Sequence, residues 1–133
     1  FLSVVPSYSV GKDLVRSAPT NEDIKTLEIL KNERDIVVLG NVYEGNLITS
    51  ISGKKNVLDN LFLLAPKPEQ RLNDVNLAYT TRFKAVASEV LQRYKVQYIF
   101  LSKKTKQLYN ITDIDYKDEI CFKKLGEGYK VIC

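Results

Sequence analysis

Two carboxylates near the middle of the chain, Glu44 and Asp59, are the residues best placed to do chemistry, and Tyr43, Asn46 and Asn60 stand beside them. A pair of carboxylates with an aromatic ring and side-chain amides suits contact with a metal ion or a sugar. Each carboxylate lies at or just after the end of a strand-like run, and in an open parallel sheet ligands sit outside the carboxyl ends of the strands. The same stretch, "VYEGNLITSISGKKNVLDN" (42–60), also reads as an ordinary connector. In that case Glu44 is solvated and Asp59 caps a turn with Asn60. The connector is the default, because the stretch has the periodicity of a turn, a short helix and a strand.

Most other chemistries lack their residues. The chain has no His, the commonest general base and metal ligand. It has no phosphate-binding P-loop, no G-x-S-x-G and no C-x-x-C, so neither a cofactor nor a metal is expected and no residue is assigned as catalytic. Gly126-Glu127-Gly128 is no dinucleotide fingerprint, because a short strand follows it where a helix is needed. Asn110-Ile111-Thr112 fits the N-glycosylation sequon, in a polar segment after a strand. Cys121 and Cys133 fall opposite each other if the glycine turn is centred on Glu127. The pairs are then Leu125 with Tyr129, Phe122 with Ile132, and Cys121 with Cys133. Opposed positions in a hairpin are near disulfide geometry. The alternative is two small buried thiols.

With 133 residues, 44% of them hydrophobic, one domain with a normal core is expected. The net charge of +4 is mild, and Lys and Glu alternate along the chain, so no nucleic-acid partner is expected. The absence of Met marks a fragment or a mature product. Residues 1–19 read as a lead-in. "FLSVV" before Pro6 is an edge strand in a whole domain, or the stub of a transmembrane helix in an excised one. Residues 20–133 form the α/β domain.

The elements that must position these residues are legible in order. Thr20 caps a helix, with Asp23 three residues on and Ile24, Leu27 and Leu30 at helical spacing. "DIVVLG" is a buried strand closed by Gly40. Leu47, Ile48 and Ile51 mark a short helix that Gly53 ends, and "KKNVLD" is a second short strand. Pro68 to Tyr79 is helical, with Leu72, Val75 and Leu77 as its apolar residues. Thr80 or Thr81 caps a longer helix with Phe83, Val86, Ala87, Val90, Leu91 and Tyr94 on one face. "VQYIFLS" (96–102) is the clearest buried strand, and it pairs in parallel through a βαβ-type unit. The tail is a hairpin around Gly126 to Gly128. The fold class is therefore α/β: a three-layer or two-layer Rossmann-like sandwich with a mostly parallel sheet and a C-terminal antiparallel β-hairpin.

This order resembles the soluble C-terminal domain of archaeal and bacterial polytopic membrane glycosyltransferases, of the dolichyl-phosphate-mannose mannosyltransferase and oligosaccharyltransferase type. The matching pieces are Val37-Val38-Leu39, Gly45, Gly53 to Asp59, Tyr94 to Ile99 and the closing hairpin, over roughly residues 20 to 133. Oligosaccharyltransferases carry a Trp-Trp-Asp-Tyr-Gly signature after the first strand. Aligned on Gly45, this chain reads Asn41-Val42-Tyr43-Glu44-Gly45, without the tryptophans and the Asp. The acceptor-peptide binding that accompanies the signature is therefore not implied here. In that class the catalytic and metal-binding carboxylates lie in loops of the membrane portion. The resemblance thus implies a non-catalytic, extracytoplasmic domain of a cell-membrane protein. Its partners would be the membrane portion of the same chain and a glycan or lipid-linked sugar. The other readings are a small cytosolic α/β module binding a nucleotide or sugar phosphate at the Gly40 to Gly45 turn, and a hydrolase using Glu44 and Asp59.

Overall fold

The computed structural model describes residues 19–58 and 67–133. The chain opens with helix α1 (Asn21–Leu30), strand β1 (Val37–Leu39), helix α2 (Gly45–Ser52) and strand β2 (Lys55–Asn56). Helices α3 (Pro68–Thr80) and α4 (Lys84–Arg93) lead to strand β3 (Val96–Phe100). Helix α5 (Lys103–Tyr109) and strands β4 (Phe122–Lys124) and β5 (Gly128–Val131) follow. The expected α/β architecture is present. The sheet order is β2-β1-β3-β5-β4. The first three strands are parallel, and β5 and β4 add an antiparallel half that is the C-terminal hairpin.

Period-two alternation divides the core into two layers on either side of the sheet. Val38, Tyr98 and Phe100 face α1 and α2, where Leu27, Leu30 and Ile48 cover them. Leu39, Ile99 and Leu101 face the other way, onto Val75, Ala78 and Tyr79 of α3 and Ala87, Val90 and Leu91 of α4. Each fully buried Leu or Phe contributes about 1.5–3 kcal/mol. The chain therefore crosses one face from β1 to β2 and returns over the opposite face to β3. Right-handed crossovers demand that change of face when the winding direction reverses.

Local chemistry explains the boundaries. Thr20 Oγ1 accepts from Asp23 N at 3.1 Å and Asp23 Oδ2 accepts from Thr20 N at 3.3 Å, a reciprocal cap that starts α1. Gly53, at φ 69°, closes α2 in the left-handed region that glycine enters without strain.

Three expectations change. Neither Thr80 nor Thr81 caps α4: Thr81 Oγ1 accepts from Phe83 N at 3.1 Å in a side-chain turn, and the helix starts after Phe83. Phe83 is consequently exposed, off the apolar face, as is Leu77 on α3. The polar segment after β3 that carries the Asn110 sequon opens with a helix, α5, because Ser102 Oγ caps Thr105 N at 3.1 Å. The hairpin register is one residue off the expected one, with Phe122 opposite Val131 and Lys124 opposite Tyr129. The turn has two central residues, Gly126 and Glu127, closed by Leu125 N to Gly128 O at 3.1 Å. Positive φ at Gly126 alone is the pattern of a type II′ turn. Thr26 of α1 holds this turn by accepting from Glu127 N at 2.8 Å. Cys121 now faces Ile132, whose N donates to the Cys121 carbonyl, yet Cys121 and Cys133 are joined by a disulfide with Cα atoms 4.7 Å apart.

Tyr79 ties the two layers' centre together. Its buried hydroxyl lies 2.9 Å from the Leu39 carbonyl and 2.7 Å from the Phe100 carbonyl, so one proton is shared between the ends of β1 and β3. Tyr79→Phe should lower the unfolding free energy by about 1–3 kcal/mol, since it orphans buried carbonyls. Denaturant unfolding of the variant would measure this, and a change within about 0.5 kcal/mol would show that Tyr79 only fills space.

Candidate functional site

Sheet order fixes where to look. Strand β2 lies on one side of β1 and β3 on the other, so the winding reverses between β1 and β3. In open α/β sheets the crevice outside the carboxyl ends at such a reversal is the usual ligand position. Two connections leave from that point: Gly40 to Glu44 runs from β1 into α2, and Leu101-Ser102 runs from β3 into α5.

Four polar side chains, from those connections and the first turn of α5, meet there. Glu44 Oε1 accepts from Ser102 Oγ at 2.6 Å, from Asn41 Nδ2 at 2.7 Å and from Thr105 Oγ1 at 2.9 Å. Asn41 Nδ2 also donates to Thr105 Oγ1 at 2.8 Å, and Asn41 Oδ1 accepts from Tyr43 N at 2.8 Å. The group is sealed: Glu44 is 1% exposed, and Asn41, Ser102 and Thr105 are fully buried. A solvated Glu44 is thus corrected. Two of its three partners lie 58 and 61 residues away in sequence, so the local pattern alone does not announce the burial.

Burial holds the Glu44 carboxyl above its ordinary 4.5, because a charged carboxylate loses its hydration there. The Ser102 and Thr105 hydroxyls pull the other way, nearby Asp23 adds to the rise and Lys104 opposes it. Burial also pushes the Tyr79 phenol up, with Glu44 adding to the effect. Tyr79 therefore stays a neutral donor. A carboxyl enclosed by three donors and shielded from water cannot reach a substrate. It locks two loops together.

The remaining expected site residues divide. Tyr43, just before α2, is 49% exposed, and Asn46, on the first turn of α2, is exposed, so both flank Glu44 in sequence on the solvent side. Asp59 and Asn60 lie outside the described residues, so the Glu44–Asp59 pair is not placed. Asn110 is exposed and ends α5 in the left-handed region at φ 53°. Among the described residues, no group of three or more His, Cys, Asp or Glu is gathered to hold a metal. Reading the sequence missed Asn41, Ser102, Thr105 and Tyr79. The available signal was positional: Asn41 and Ser102 each stand two residues after a buried strand, and Ser-x-x-Thr opens a helix. An open groove of about 540 Å³ sits well away, against the hairpin between Lys117 and Ile132. It shares no residue with the switch-point cluster.

No protein-family model matches the sequence, nor does any curated protein. Among solved structures, the chain is similar to the C-terminal globular domain of an oligosaccharyltransferase, AfAglB-S2, from Archaeoglobus fulgidus. The two share 15% identity with a TM-score of 0.61, over 87% of this chain and 100% of that one. At this identity the likeness is one of fold. It agrees with the family resemblance carried by the order of the elements.

The raised carboxyl of Glu44 sets a pH signature. Its folded value lies above its unfolded one, so its contribution to stability is complete below about 4.5 and is lost as pH rises through the folded value. Glu44→Gln removes the titration while keeping the shape. The stability of the variant relative to the parent should therefore improve as pH is raised from about 4 to about 7. Thermal or denaturant unfolding across that range checks this. A difference that stays constant, or moves against the variant, would mean the carboxyl is not desolvated.

Proposed function

We propose that this chain is a non-catalytic, extracytoplasmic domain of a multi-spanning glycosyltransferase-like membrane protein, with residues 1–19 as its lead-in. It shapes access to an active site in the membrane portion, or binds a glycan or lipid-linked sugar. The observation that carries this reading is the likeness of fold to the oligosaccharyltransferase domain, which extends over the whole of that domain. The sealed Glu44 supports a non-catalytic role, since the best-placed carboxylate is committed to structure. The Cys121–Cys133 disulfide suits an oxidising compartment, and the exposed Asn110 sequon is accessible to a glycosylating enzyme. No described helix is long and apolar enough to cross a membrane, so the anchoring spans would belong to other parts of the protein.

Recognition falls to the rim of the β1–α2 connection. Tyr43 offers a half-exposed ring against which a sugar face can stack, and Asn46 offers an amide one turn away. The sealed cluster beneath fixes the backbone that presents them, with Asn41 Oδ1 gripping the amide of Tyr43 itself.

Fractionation of the producing cells, with an antibody raised to residues 19–133, tests the placement. The antigen should stay with membranes washed in alkaline carbonate, and protease added outside intact cells should digest it. Antigen in the soluble cytosolic fraction would contradict the reading and favour a free-standing ligand-binding module.

A further inference from the structure

The amino end of the parallel half-sheet carries an unassigned basic groove. Val37 of β1 is level with Lys55 of β2 and with Val96 of β3, and Lys95 immediately precedes β3. Arg71 of α3 and Arg93 of α4 reach the same place around the ring of Tyr94. Two adjoining hollows of about 280 and 290 Å³ share Arg71, Arg93 and Tyr94. One adds Lys55 and Lys95 and the other adds Lys67. Among the described residues, no carboxylate lines either hollow. Among the described residues, Lys55, Lys67, Arg71 and Lys95 make no ion pair.

The groove is organised. Asp74, nearly buried, accepts from Arg93 Nη1 at 2.8 Å and from Tyr94 Oη at 2.5 Å, fixing both. The Arg71 guanidinium then lies over the Tyr94 ring, 5.3 Å from its centroid. Its Nη1 also donates to the Val57 carbonyl at 3.4 Å, and the remaining guanidinium donors suit phosphate oxygens. Two of the lysines also stand on strained backbone. Lys67 has φ 53° and Lys95 has φ 56°, in the left-handed region. Lys95 comes directly after the capping residue of α4, a position glycine fills without strain. A charged side chain is held at both positions where its absence would relax the chain. Like charges gathered in adjoining hollows repel each other, and an anion of two charges relieves this.

We infer that this groove binds a phosphate group, presented by a free phosphate ester or by a lipid headgroup. The ligand touches Arg71, Lys67 and Lys95, with Lys55 at the far wall, and Tyr94 supports its pendant group. The groove is at the opposite end of the strands from the switch-point cluster, and the inference does not depend on the membrane reading.

Amide resonances of the ¹⁵N-labelled chain, titrated with inorganic phosphate at constant ionic strength, test it. Saturable shifts should gather at Lys55, Arg71, Tyr94 and Lys95. The Lys67→Gly, Lys95→Gly double variant should weaken binding about tenfold, the effect of losing charge-assisted hydrogen bonds. It should be at least as stable as the parent, because glycine relieves both strained positions. Phosphatidylcholine vesicles with and without phosphatidylglycerol separate the sources. Binding only to the anionic vesicles, lost in the variant, identifies a headgroup, and phosphate binding without vesicle binding identifies a soluble ester. Three results would overturn the inference: no saturable binding in either arm, equal shifts at Lys123 and Lys124 on the hairpin, or undiminished binding by the variant.

Discussion

One buried carboxyl holds the two central connections of this fold together. Glu44 accepts hydrogen bonds from Asn41 beside it and from Ser102 and Thr105 across the β1–β3 boundary. Burying a carboxyl costs free energy unless donors surround it, and here they do. Tyr79 performs the matching task one layer inward, bridging the carbonyls that end β1 and β3. Together they close the point where the winding of the sheet reverses. Any change that removes one member leaves its buried neighbours one hydrogen bond short, which costs more than the bond itself. The crevice that an open α/β sheet offers to ligands is occupied here by the protein's own polar groups.

That closure gives the two ends of the parallel strands different characters. The carboxyl end is sealed by its own hydrogen bonds, and among the described residues expected there Tyr43 and Asn46 are exposed. The amino end is wet and cationic, arranged around Tyr94 by the bonds that Arg93 and Tyr94 make to Asp74. The chain's modest net charge conceals this polarity, because the lysines and arginines concerned come from separate elements.

Elements specified by local chemistry were legible in the sequence. Thr20 with Asp23 announces α1, Gly53 ends α2, and the β-branched runs at 37–39 and 96–100 are the two central strands. Features decided by distant contacts were not. Glu44 follows a strand and precedes a glycine, and nothing within ten residues distinguishes a buried carboxylate from a solvated one there. Thr81 has the composition of a cap, but it spends its hydroxyl on the Phe83 amide, which delays α4 and turns Phe83 to solvent. The glycine pair at 126 and 128 signals a hairpin correctly. The choice between a two-residue and a three-residue loop depends on backbone twist, so the register slipped by one. The basic groove was invisible because its members are scattered between residues 55 and 95.

A double-mutant cycle between Glu44 and Ser102 tests the central claim most directly. Unfolding free energies would be measured for the parent, Glu44→Ala, Ser102→Ala and the double variant. If the carboxyl joins the two connections, the two losses will be non-additive, with a coupling energy of about 1 kcal/mol or more. Losses that add to within about 0.5 kcal/mol would show that the two connections are held independently, and the account of a locked switch point would fail.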